Sequence, residues 1–262
     1  MLNQIQLPSH TYADLPEWVV EYGEPILFWI AVLVGVGVVL VLFGNYRRAV
    51  EASKPFAFGL FFFSLMFVTA RAIENYRKFI IASGPQDIIE GWIGVGPTIT
   101  GLNLVLRILY YVFSWTAIAT FYYESEKYIF QGKTKFILMI SAVLEGIFSI
   151  ALYFTTGNTR IFFQILATIG FFLCGVAPII IYLIIGKISV GALRRPAFIV
   201  ALGLTFFVIA VMAELPEGSY VVYLVNRPLV DAYLIAIVSP ICMSIGFLTM
   251  LIGFKKMFSG LF

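Results

Sequence analysis

Seven stretches of this chain are nearly free of charge and long enough to cross a bilayer, which takes about 20 apolar residues as a helix. They lie near 25–45, 55–76, 99–122, 136–155, 161–186, 196–214 and 231–254. The first, PILFWIAVLVGVGVVLVLF, carries no charge at all. The pattern predicts an all-α membrane protein, a bundle of seven transmembrane helices. Residues 1–24 would form an external tail with a short interfacial helix, 25–256 the seven-helix domain and 257–262 a short cytoplasmic tail. In TYADLPEWVVEY, residues 11–22, Trp18 and Tyr22 stand beside acids, as in a helix lying in the membrane interface. The 77–98 stretch, with Ile88, Ile89, Trp92 and Ile93, predicts a second such segment. No Lys or Arg precedes the first apolar run, so no secretory signal peptide is expected.

Basic residues between the runs predict orientation. Arg47, Arg48, Lys54, Lys127, Lys133, Lys135, Lys187, Arg194, Arg195, Lys255 and Lys256 fall on one side. Only Arg77, Lys78, Arg160 and Arg227 fall on the other, while Arg71 and Arg107 lie within runs. The C-terminus is therefore expected in the cytoplasm and the N-terminus outside.

Composition agrees. Of 262 residues, 61% are hydrophobic and 12% charged, where an ordinary soluble domain has about half and about a quarter. Mean hydropathy is +0.99. These values exclude disorder and leave no room for a separate soluble domain. The net charge of +3 reads as a topology signal rather than a nucleic-acid footprint. The single histidine, His10, lies in the N-terminal tail. Metal-dependent lipid hydrolysis, bis-His haem and Ser–His proteolysis all need imidazoles inside the bundle. Cys174 and Cys242 sit within apolar runs without CxxC spacing and read as small hydrophobes. No catalytic residue, metal or cofactor is expected, and enzyme function ranks last, through an acid-only mechanism at Glu145.

A repeat is visible at an offset of 140 residues. KPFAFGLFFFSLMFVTARAIENY, from Lys54, resembles RRPAFIVALGLTFFVIAVMAELPEGSY, from Arg194, and Glu74 falls on Glu214. This predicts a 3+1+3 helix plan.

An ionisable group within a span is a functional-site hypothesis. At about 1.5 Å per residue, Arg71 lies ~7 Å, Arg107 ~12 Å, Glu145 ~15 Å and Gln164 ~5 Å below the external boundary. Glu74, Glu214 and Asp231 mark its edge. Arg71 and Glu74, three apart, can pair on one face, and Glu74 can also meet Lys78. Arg107 and Glu145 share a depth and can form a buried pair. Tyr111 and Ser114 share a face with Arg107, bordered by Tyr110, among further aromatics Phe113, Trp115, Tyr122 and Tyr123. The ligand-binding set expected from this is Arg71, Glu74, Arg107, Tyr111, Glu145 and Gln164, with the arginines receiving an anionic group. Pro178 and Pro240 are expected hinges.

The layout resembles opsins and rhodopsin-like receptors in topology alone. Run seven has no mid-span lysine, and FYYESEKY stands where such receptors carry an acidic-Arg-aromatic triplet. The expected function is a receptor or sensor that binds a small or lipid-like ligand in an external-half pocket and signals to a cytoplasmic partner. A small ion-coupled carrier and a structural or assembly subunit of a membrane complex are the alternatives. The lipid bilayer is the certain partner, and nucleic acid is not expected.

Overall fold

The computed structural model describes residues 22–51, 53–81, 101–129, 132, 134–189, 191–214 and 237–259. They are helical apart from turns, with no strand among them. Helix α1 (Glu24–Arg48) opens on an acid and Pro25 and closes on Arg47 and Arg48, the arrangement that a helix dipole favours. Helix α2 (Lys54–Tyr76) carries Pro55 in its first turn. It does not stop at Tyr76 but runs on as a π-helical turn, Arg77–Ile81. Helix α3 (Gly101–Glu124) continues in the same way through Ser125–Ile129. Then come α4 (Ile137–Ala151), α5 (Gly157–Ile188), α6 (Arg194–Glu214) and α7 (Ser239–Ser259). The interfacial segments expected at 11–22 and 77–98 fall almost wholly outside the described residues, as does Asp231.

Among the described residues, four helical stretches are long and apolar enough to cross a membrane: Glu24–Arg48, Lys54–Ile81, Gly101–Tyr128 and Ser239–Met257. Helix α4 is shorter than the run that predicts it. Its 15 residues cover about 22 Å at 1.5 Å each, short of the ~30 Å hydrocarbon core. The helix, and not the apolar run, ends at Leu152–Phe154, where the chain turns towards α5.

Each helix packs on its successor, and α7 packs back on α1, closing a ring. Outward-facing side chains are apolar along the helices, among them Leu33, Leu40, Ile147, Leu173, Ile180 and Ile252. A belt of that extent suits lipid rather than water. The ring interior is aromatic. Phe67 meets Phe207 edge-on at 4.4 Å, and Phe207 meets Phe247 at 5.4 Å. Phe63 contacts Phe67 at 6.3 Å and Phe121 at 5.2 Å. Phe121 stacks on Tyr182 at 5.9 Å, and Tyr182 meets Phe254 at 6.3 Å. This buried layer ties α2, α3, α5, α6 and α7 together across the centre.

The α6–α7 seam is the most extensive, and glycine makes it so. A methyl at Gly203 would sit 2.7 Å from the Met250 backbone nitrogen. One at Gly246 would sit 3.0 Å from the Gly203 carbonyl oxygen, and one at Gly253 3.0 Å from the Val200 nitrogen. Without side chains at these points the two backbones touch, the usual route to tight helix association where hydrophobicity cannot drive it.

Candidate functional site

One end of the bundle gathers the start of α1, the end of α2, the start of α3 and the end of α4. Glu74 is its hub. Because α2 continues past Tyr76, Arg77 returns one turn later over the Glu74 carboxylate. Arg77 donates from Nε to Glu74 Oε2 at 3.0 Å and from Nη2 to Oε1 at 2.9 Å. Its remaining nitrogen, Nη1, donates to Asn103 Oδ1 of α3 at 2.9 Å. Arg107, also on α3, donates from Nη1 to Glu74 Oε1, forming an ion pair. Its Nε donates to the Tyr153 hydroxyl just beyond α4 at 3.1 Å. One carboxylate thus joins α2 to α3, and Arg107 carries the connection on to α4.

Aromatic faces complete the shell. The Arg107 guanidinium lies 5.1 Å from the Tyr111 ring centre and 5.4 Å from that of Tyr110. The Arg71 guanidinium sits over Phe67 at 5.4 Å and Tyr110 at 5.6 Å. Such contacts are worth about 2 kcal/mol or more when desolvated. Arg71 acts on Glu74 through space, but Arg77 makes the i,i+3 pair. Lys78 goes to Glu24 of α1 and covers the rings of Phe28 and Phe79.

The sequence-predicted residues therefore divide. Arg71, Glu74, Arg107 and Tyr111 come together. Glu145 does not pair with Arg107, because Arg107 is spent on Glu74 and Tyr153. Glu145 faces α5 instead, so closely that a methyl at Gly170 would land on its carboxylate. Gln164 lies two turns into α5. Pro178 sits inside α5, whose helix continues through it. Pro240 is the second residue of α7, which follows two π-helical residues at 237 and 238. Sequence reasoning missed Arg77, Asn103 and Tyr153. Arg77 looked like a loop cation, although the Glu74/Arg77 spacing of three signals an intrahelical pair.

The opposite end has its own buried acids. Glu126 is wholly buried and accepts the Leu138 and Met139 backbone N–H groups, both at 3.0 Å. A carboxylate from the α3 side thereby caps the start of α4. The tight connection includes Lys135 and Phe136 in the left-handed region, at φ 51° and 58°. Phe136 stacks on Tyr123 at 5.6 Å.

No protein-family model, curated protein or solved structure matches this chain.

Proposed function

We propose that the chain is a multi-pass cell-membrane protein of seven crossing helices, external at its N-terminus and cytoplasmic at its C-terminus, that works as a receptor or sensor. Its ligand is small or lipid-like, carries an anionic group and binds where Arg71, Glu74, Arg107 and Tyr111 converge. The observation that carries this reading is the Glu74 network itself, a buried ionic cluster at one end of a closed ring. A ligand anion would compete with Glu74 for guanidinium donors and loosen α2 from α3. Helix shifts would carry that change to the basic end, where the connections at 123–135 and 187–195 would meet a cytoplasmic partner.

Several features support the topology. The basic residues cluster at the ends of α1, α3, α5 and α7 and the starts of α2, α4 and α6, as the positive-inside rule requires. Local thinning of the bilayer accommodates a short helix such as α4. The starts of α2 and α6, Lys54 and Arg194, keep the 140-residue offset of the sequence repeat. The α2–α3 and α6–α7 seams, which that repeat would relate, are the two most extensive.

Thermal unfolding in micelles with matched anionic and neutral amphiphiles tests the reading, using a fatty acid against its alcohol and an alkyl phosphate against an alkyl glucoside. An anionic member should stabilise the wild type more than its neutral partner, and Arg107→Gln should lose that difference. Equal effects of anionic and neutral members on the wild type would reject it.

A carrier is the second reading, favoured by the buried Glu145 within α4. Glu145→Cys in a chain with Cys174→Ala and Cys242→Ala separates the two. Labelling by an impermeant thiol reagent from outside only fits the receptor, and labelling from both sides fits the carrier.

A further inference from the structure

The corner between α1 and α2 carries a wall of aromatic rings. Phe43 meets Phe61 at 5.4 Å, Tyr46 meets Phe58 at 5.5 Å, and Tyr46 stacks on Phe61 at 6.4 Å. The wall thus spans the seam between the two helices. Phe43 is 40% and Phe58 45% exposed, so one side of it is open to the surroundings of the bundle.

Cations stand above these rings. Arg47 and Arg48 close the last turn of α1, and both are exposed. Arg47 follows Phe43 by four residues on the same helix face, with its guanidinium 6.0 Å from the ring centre. One turn back from Arg48, Gly44 leaves the helix surface bare, with nothing within 4 Å of where a side chain would begin. Neither arginine has a carboxylate within ion-pair distance among the described residues. Glu51, the acid of the connecting turn, pairs instead with Lys54 at 3.2 Å. The corner between α3 and α4 also sets a cation on rings, but there the Lys127 ammonium donates to the Tyr123 hydroxyl at 3.2 Å. The Arg47 and Arg48 charges have no such partner in the chain.

We propose that the α1–α2 corner binds one anionic phospholipid, its phosphate on Arg47 and Arg48 and an acyl chain along Phe43 and Phe58. Charge complementarity selects the occupant. A zwitterionic headgroup brings its own cation close to the arginines, whereas an anionic one does not. A second copy docked through this face about a two-fold axis would bring four arginines together, which Coulomb repulsion opposes. The proposed topology places this end in the cytoplasmic leaflet, where anionic lipids gather and basic residues at the surface attract them. Glu74 lies 20 residues beyond Lys54 on α2, about 30 Å away at 1.5 Å per residue, so the two sites are separate.

The test places the full chain in nanodiscs of chain-matched phosphatidylglycerol and phosphatidylcholine and counts the retained lipids by native mass spectrometry. Phosphatidylglycerol should be retained in preference. Arg47→Gln combined with Arg48→Gln should lower that preference roughly tenfold. Lys255→Gln combined with Lys256→Gln removes the same charge from the end of α7 and should leave it intact. The loss on substituting Arg47 and Arg48 should persist in an Arg107→Gln chain, which keeps this test apart from the reading at Glu74. Excess inorganic phosphate should not displace the lipid. Equal retention of the two lipids by the wild type would overturn the proposal. An equal loss on substituting Lys255 and Lys256 would do the same, since the attraction would then be diffuse. So would a preference abolished by Arg107→Gln alone, or displacement by phosphate, which would make the corner a site for free anions. Should the double Arg47 and Arg48 variant fail to fold, an unchanged preference in both single variants would overturn it equally.

Discussion

The two ends of this bundle solve the same problem in different ways. Each buries acidic side chains, and a buried carboxylate needs either positive charge or directed N–H groups. At the α2–α3 end, Glu74 is met by side-chain cations, Arg77 and Arg107. At the other end, Glu126 is met by the backbone, through the two free N–H groups at the start of α4. Side-chain pairing leaves charge that can be rearranged, because guanidiniums can change partners. Backbone capping leaves a fixed joint, because the donors belong to the helix. The end built from movable charges suits ligand exchange, and the end built from a cap suits a stable corner between α3 and α4.

Substitutions can break this contrast. Glu74→Ala should have the largest effect, about 3–5 kcal/mol of destabilisation, because it strands two buried guanidiniums. Arg107→Met should cost clearly less, since Glu74 keeps both bonds from Arg77. Denaturant unfolding in micelles would measure the order, and equal costs would mean that the Arg77 bonds do not offset the loss of Arg107. Glu126→Gln should come next, at about 1.5–3 kcal/mol for weakening bonds to a charged group. Its loss should be local, seen as faster hydrogen exchange at the Leu138 and Met139 amides without a matching change around Arg77. Tyr153→Phe removes one bond to Arg107 and should cost about 1 kcal/mol, with hydrogen exchange in α4 near Glu126 unaffected. The smallest effect should be a gain. Lys135 holds φ 51°, so Lys135→Gly should stabilise the corner by up to about 1 kcal/mol, read as a higher unfolding midpoint. A loss would show that the Lys135 side chain supports the turn.

Much of the helical frame was legible because apolar length is a direct physical requirement of lipid. The first run, 25–45, lies within α1, and the run at 99–122 overlaps α3 to within two residues at each end. Helix ends were harder to read. Charged residues beyond an apolar run look like loop, yet Arg77 and Ser125–Ile129 prolong α2 and α3 through π-helical turns. At the site, depth alone grouped Arg71, Glu74 and Arg107. Depth says nothing of azimuth around the ring, and Arg107 and Glu145, though similar in depth, face different neighbours. Glu124 and Glu126 stood within a charged stretch, ESEK, that reads as solvated. Only the fold shows that one caps a helix and the other fills the notch at Gly59.

The closure of the ring has a consequence for biosynthesis. Helix α1 is synthesised well before α7, one of its two neighbours in the ring. Until then the notch at Gly35, where a methyl would lie 2.6 Å from Val68 and 3.3 Å from Phe247, is lined on one side only. Until α7 is made, α1 lacks that neighbour. The α6–α7 hairpin then arrives with its glycine-lined backbones already able to join, and a chain interrupted before residue 239 would display an open groove to the quality-control machinery of the membrane.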